Sequence, residues 1–143
     1  MPVVQVVELP LAPSQAWLLI ASPDGLCRWY AHHADIEPRV GGRYAFGWEP
    51  GQTFEGRITA WVPEKEVAFR QPSEVGLAPT DDNATLVELR VGPGEGPSST
   101  LLGVRQSGFE RLKPLYTPAE SRQASDVAWR IALGMLAAAL SDG

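Results

Sequence analysis

Cysteine is almost missing from this chain. Cys27 is the only one in 143 residues, which excludes an intrachain disulfide. With no catalytic partner evident beside it, Cys27 reads as a small buried hydrophobe. Long apolar runs are missing as well. The longest, IALGMLAAAL, falls far short of the roughly 20 residues that span a bilayer. The N-terminal MPVVQVVELPL has neither a basic stretch nor an A-x-A site and does not read as a secretory signal. These absences give the expectation of a cytoplasmic protein with no membrane span. Positive charge is in deficit: 12 Lys and Arg against 17 Asp and Glu leave a net charge of −5. Phosphate recognition needs a basic face, so nucleic acid is not an expected partner. Lysine and asparagine are scarce beside arginine, a bias that fits either genome composition or heat adaptation.

Catalytic signatures are missing too. There is no G-x-S-x-G, H-E-x-x-H, Walker loop or C-x-x-C. His32 and His33 are adjacent, so on a strand they would point to opposite faces and could not chelate one metal together. They read as solvated loop histidines. Asp81-Asp82, Glu64 and Glu66 read as solvated surface carboxylates. No metal, no cofactor and no catalytic residue is expected.

What is present is a succession of periodic segments in one 1–143 domain. VVQVVEL (3–9), bounded by Pro10, reads as a strand. Pro13 suits a helix start, with Ala16, Trp17 and Ile20 at helical spacing. SPDGLCRWY (22–30) reads as a second short helix or turn with Leu26, Trp29 and Tyr30 on its apolar side. Strands with period-two alternation follow: Tyr44, Phe46 and Trp48; Phe54, Gly56 and Ile58; Val67 and Phe69; Val87, Leu89 and Val91; Thr100, Leu102, Val104 and Gln106. Such alternation marks an antiparallel sheet with one buried face. Gly41-Gly42 is not a phosphate loop, because a strand follows it instead of a helix N-terminus. It predicts a tight hairpin that sets the register of Tyr44, Phe46 and Trp48, with Arg39 and Arg43 facing solvent or paired with acids.

The last third changes period. TPAE (117–120) is a capping box with Pro at the first helical position. Trp129, Leu133, Leu136 and Leu140 form one apolar stripe, while Val127, Ile131, Gly134 and Ala138 lie on the opposite side. A helix apolar on two sides is covered twice, or one side meets a ligand or partner. Gly134 suggests close approach or open space there. The order predicts an α+β fold: a curved antiparallel β-sheet wrapped around a long C-terminal α-helix, with two short helices after the first strand. A pocket between sheet and helix is expected.

The segments APSQAW (12–17), SPDGLCRW (22–29), DIEPRVGGRYAF (35–46), GRITAWVPEKEVAF (56–69), TLLGVRQSGF (100–109) and AWRIALGMLAAAL (128–140) run in a familiar order. The chain resembles the START-like (SRPBCC, helix-grip) superfamily, in the branch related to the activator of the heat-shock chaperone ATPase. The resemblance implies a helix-grip fold but no single function, since the superfamily holds lipid carriers, aromatic-ring cyclases and co-chaperone modules. Where that branch usually has His before SGF, this chain has Gln106, which cannot change charge near neutral pH. The expected role is binding of a hydrophobic, aromatic or lipid-like small molecule in the pocket. Its expected lining is Trp29, Tyr30, Tyr44, Phe46, Trp48, Leu89, Leu102, Gln106, Trp129 and Leu133, with Gln106, Tyr44 and Tyr30 as polar groups; Trp17 and Phe69 read as plain core. A cyclase or hydrolase in the same pocket and a co-chaperone module stand as alternatives. A homodimer through the second helix face is also open.

Overall fold

A computed structural model describes residues 1–49, 51–72, 76, 78–79, 83–112 and 118–141. Asp81-Asp82 and the Thr117 cap expected from the sequence lie outside the described residues, as does most of the loop read over 74–83.

Among the described residues, seven strands form one antiparallel sheet: β1 (Val3–Leu9), β2 (His33–Ile36), β3 (Arg43–Glu49), β4 (Gln52–Val62), β5 (Glu66–Pro72), β6 (Ala84–Pro93) and β7 (Thr100–Ser107). Their spatial order is β1-β7-β6-β5-β4-β3-β2. Helices α1 (Pro13–Ala21) and α2 (Pro23–Leu26) follow β1, and the long α3 (Pro118–Ser141) closes the described chain. This is the curved sheet and C-terminal helix of the helix-grip arrangement.

The alternation of the strands becomes the two faces of the sheet. Val87, Leu89 and Val91 of β6 are buried, as are Thr100, Leu102, Val104 and Gln106 of β7. Between them, Glu88, Arg90 and Arg105 face outward and pair, with the Glu88 carboxylate reached by both arginines at 2.8 and 3.0 Å. The β4 pattern changes phase at a bulge between Ile58 and Ala60. The extra residue returns Trp61 to the inner face, where it meets Trp17 edge-on at 5.3 Å.

Ser22 joins the two short helices. Its Oγ donates to the Leu18 carbonyl at 2.8 Å and accepts from the Gly25 N–H at 3.0 Å. The residue that ends α1 thereby caps α2. Helix α3 is moored to the edge strand β1. Gln5 Nε2 donates to Asp126 Oδ1 at 2.7 Å, and the Arg122 guanidinium donates to the carbonyls of Met1 and Pro2, both at 3.0 Å. The Trp129, Leu133 and Leu136 stripe faces the sheet and is at most 5% exposed.

Three readings need correction. β2 was not anticipated, and His33 belongs to it. The Gly41-Gly42 pair sits in a longer connection between Ile36 and Arg43, not in a tight hairpin. Only Gly41 of the two has a left-handed φ, at 84°; Gly42 is required because a Cβ there would lie 2.4 Å from the Glu37 carbonyl oxygen. Cys27 is exposed, not buried. Arg43 does find surface acids. It forks onto Glu55 with two bonds of 2.6 Å and also contacts Asp35. That fork holds the Glu55 carboxyl below its usual range.

Candidate functional site

The site grows from the segment after α2. Its turn is closed by the amides of Tyr30 and Ala31, both donating to the Leu26 carbonyl at 3.0 and 3.3 Å. This sets Tyr30 against α3, where its ring stacks on Trp129 with centroids 4.4 Å apart and planes 4° from parallel. The same ring meets Phe46 and Trp48 edge-on, each at 5.3 Å, and Trp29 at 5.4 Å. Edge-on and stacked contacts each add stability beyond burial. Tyr30 is thus the hub that joins the short helices, β3 and α3.

Each indole here has its N–H satisfied by a group distant in sequence. Trp29 Nε1 donates to the Leu19 carbonyl at 2.9 Å, and Trp48 Nε1 to the Tyr30 carbonyl at 2.7 Å. Trp129 Nε1 donates to Gln106 Oε1 at 2.8 Å, while Gln106 Nε2 donates to Thr85 Oγ1 at 2.9 Å. The Tyr44 hydroxyl donates to the Ile20 carbonyl at 2.6 Å, and its ring stacks on Phe69 at 4.3 Å. Burial pushes the Tyr30 and Tyr44 phenols well above their usual pKa, so both stay neutral.

The ten residues singled out in the sequence therefore fall into two groups. Tyr44, Phe46, Leu89, Leu102, Gln106, Trp129 and Leu133 lie in the core, none more than 4% exposed. Gln106 sits there with both ends of its amide engaged by Thr85 and Trp129. Trp29, Tyr30 and Trp48 stand at the margin, with Trp48 38% exposed. The strand register does carry Trp48 toward the aromatic cluster, yet a bulge between Gly47 and Glu49 leaves it at the rim.

These three marginal aromatics line an open cleft of about 580 Å³. Its other wall is the outward side of α3, including Ile131 and Met135, which are 57% and 68% exposed. Gly134 has open space beside it, not a close neighbour. Cys27 and His32 border the same cleft. Desolvation and the nearby Asp24 carboxylate raise the Cys27 thiol, so it is not a ready thiolate.

The histidines are not loose. The His32 ring nitrogen Nδ1 lies 2.7 Å from the Trp48 carbonyl oxygen, and His33 Nε2 lies 3.1 Å from that of Glu49. A carbonyl can only accept, so each of these nitrogens carries the proton. The two rings clamp the bulged end of β3. His32, Ile131 and Met135 are cleft residues that the ten omitted. The exposed second face of α3 was legible from Val127 and Ile131, but nothing in the sequence paired it with residues 27–32.

A family model described as "Activator of Hsp90 ATPase homolog 1-like protein" matches residues 10–141. No curated protein sequence matches the chain. Solved structures share the fold. The Aha1 dimer from Colwellia psychrerythraea superposes with a TM-score of 0.72 at 18% identity, covering 98% of this chain and 96% of that one. XoxI from Bacillus cereus gives 0.75 at 17%, covering 99% and 96%. DynU16, a putative protein in the dynemicin biosynthetic locus, gives 0.75 at 21%, covering 98% of this chain but 47% of its own. Identities this low speak for the fold alone.

Proposed function

The chain belongs to the Activator of Hsp90 ATPase homolog 1-like family, and from that premise we propose that it binds a small, planar, largely apolar molecule in the cleft between residues 27–32 and α3. The observation that carries this reading is the cleft itself. Its volume of about 580 Å³ suits a small ligand, and aromatic rings stand on one side with aliphatic α3 side chains on the other. The indole N–H groups of that aromatic wall are already satisfied within the protein: those of Trp29 and Trp48 donate to backbone carbonyls. The rings therefore offer apolar faces without a desolvation penalty.

A titration with 2-naphthol, followed by isothermal calorimetry, tests the reading. A Kd of about 0.1 mM is expected for so small a probe. Trp48→Ala removes one ring of the wall and is expected to weaken binding about five- to tenfold. Leu18→Ala, on an exposed side chain outside the cleft, leaves it unchanged. No heat of binding at millimolar probe would overturn the proposal.

One observation favours a second reading. Val127, Ile131 and Met135 are exposed along one side of α3, and a fold relative was solved as a dimer. A homodimer built on this side would cover them. Light scattering then gives twice the mass of the 15.5 kDa chain, reduced to the single mass by Met135→Glu. A monomer at 0.1 mM or more sinks this reading and leaves the ligand cleft open.

A further inference from the structure

We infer that His32 is the specificity determinant of the cleft and selects ligands that donate a hydrogen bond, phenols and enols above all. The inference rests on the proposed binding reading and adds the chemical class of ligand. Its basis is the way the ring is held. His32 borders the cleft and is exposed. Nδ1 is committed to the Trp48 carbonyl at 2.7 Å, so in the uncharged form of the ring it is the nitrogen that carries the proton. Nε2 is then the lone-pair nitrogen, and no partner engages it among the described residues. The His32 amide is fixed in turn by the Gly47 carbonyl at 3.0 Å. A hydrogen-bond acceptor of set tautomer thus stands beside an aromatic wall.

Among the other polar side chains at the cleft, the Tyr30 hydroxyl can also accept, and the rest do not offer this. The indole nitrogens of Trp29 and Trp48 are donors and are spent. Arg28 can only donate. The Cys27 thiol, held protonated, is a weak acceptor. A flat molecule lying against Trp48 and Tyr30 with a hydroxyl at its edge would satisfy Nε2. The methyl ether of the same molecule would cover that nitrogen without offering it a proton, and such asymmetry is what produces selectivity.

The test compares 2-naphthol with 2-methoxynaphthalene by calorimetry, on the wild-type chain and on His32→Asn. The asparagine amide reaches as far as Nδ1 and can keep the bond to the Trp48 carbonyl, but it has nothing in the place of Nε2. The expected wild-type preference for the naphthol is about three- to tenfold. In His32→Asn that preference falls to about one, while the ether binds as it does to the wild type. Nitrogen-15 shifts of the His32 ring add a readout that a purely structural histidine would not move: Nε2 changes on adding the naphthol and stays still with the ether. Equal wild-type affinity for the two probes overturns the inference while the binding reading stands. So does a preference that survives in His32→Asn. Failure of both probes to bind the wild type overturns the inference together with that reading.

Discussion

Replacing Trp129 by Ala is expected to lower the unfolding free energy by about 3–5 kcal/mol. The substitution removes three things at once. It empties a site 2% exposed at the centre of the helix–sheet contact. It unstacks Tyr30, whose ring lies 4.4 Å away. It also deprives Gln106 Oε1 of its donor in a buried position, and an orphaned buried acceptor costs about 1–3 kcal/mol by itself. Trp129→Phe separates these effects. It keeps most of the packing and the stack but loses the N–H, so a loss of about 1–3 kcal/mol is expected. Urea unfolding should show a lower midpoint at an unchanged slope for both variants. Equal, small losses for both would mean that Trp129 does not hold the helix–sheet contact together.

The second large effect is expected at Gly25, where Ala should cost about 3 kcal/mol. A Cβ at this position would fall 1.7 Å from the Leu18 carbonyl oxygen and 2.9 Å from the Leu19 Cα. Both are backbone atoms of α1, so no side chain can turn aside to relieve the clash. The two helices must part, and the consequences spread. Leu19 and Ile20 supply the carbonyls that hold the Trp29 indole and the Tyr44 hydroxyl. Ser22→Gly is the control. It removes the cap on the Gly25 N–H but leaves the helices in contact, and it should cost only a few tenths of a kcal/mol. Thermal and urea unfolding of the pair would show the difference directly; similar losses would contradict the close-approach argument.

The sequence carried the fold further than it carried the site. Alternation in TLVELRV and TLLGVRQ placed Val87, Leu89, Leu102 and Val104 inside because strands buried on one face repeat every two residues. The stripe Trp129, Leu133, Leu136 was equally plain. β2 escaped because HADI is four residues long and none of its residues is fully buried. Its pairing to β3 and the two histidine bonds to β3 carbonyls define it, and both depend on a partner strand. The bulge after Gly47 is a property of strand pairing, so the step that leaves Trp48 at the rim was invisible. The sequence pattern puts Gln106 on the inner face of β7, as a polar group expected to orient a ligand. What it does depends on Thr85 and Trp129, 21 and 23 residues away. The cleft draws one wall from residues 27–32 and the other from α3, about a hundred positions later, and no local pattern announces such a meeting.

The indole region of a nitrogen–proton correlation spectrum tests the central claim most directly. The chain has five tryptophans, each expected to give one resolved Nε1–H signal. Trp29 and Trp48 border the cleft, whereas Trp17 and Trp61 form their own pair elsewhere. On adding 2-naphthol, the Trp29 and Trp48 signals should move in proportion to site occupancy. Those of Trp17 and Trp61 should stay fixed. Movement of Trp17 and Trp61 with Trp29 and Trp48 still, or no movement of any indole at millimolar probe, would contradict a binding site in this cleft.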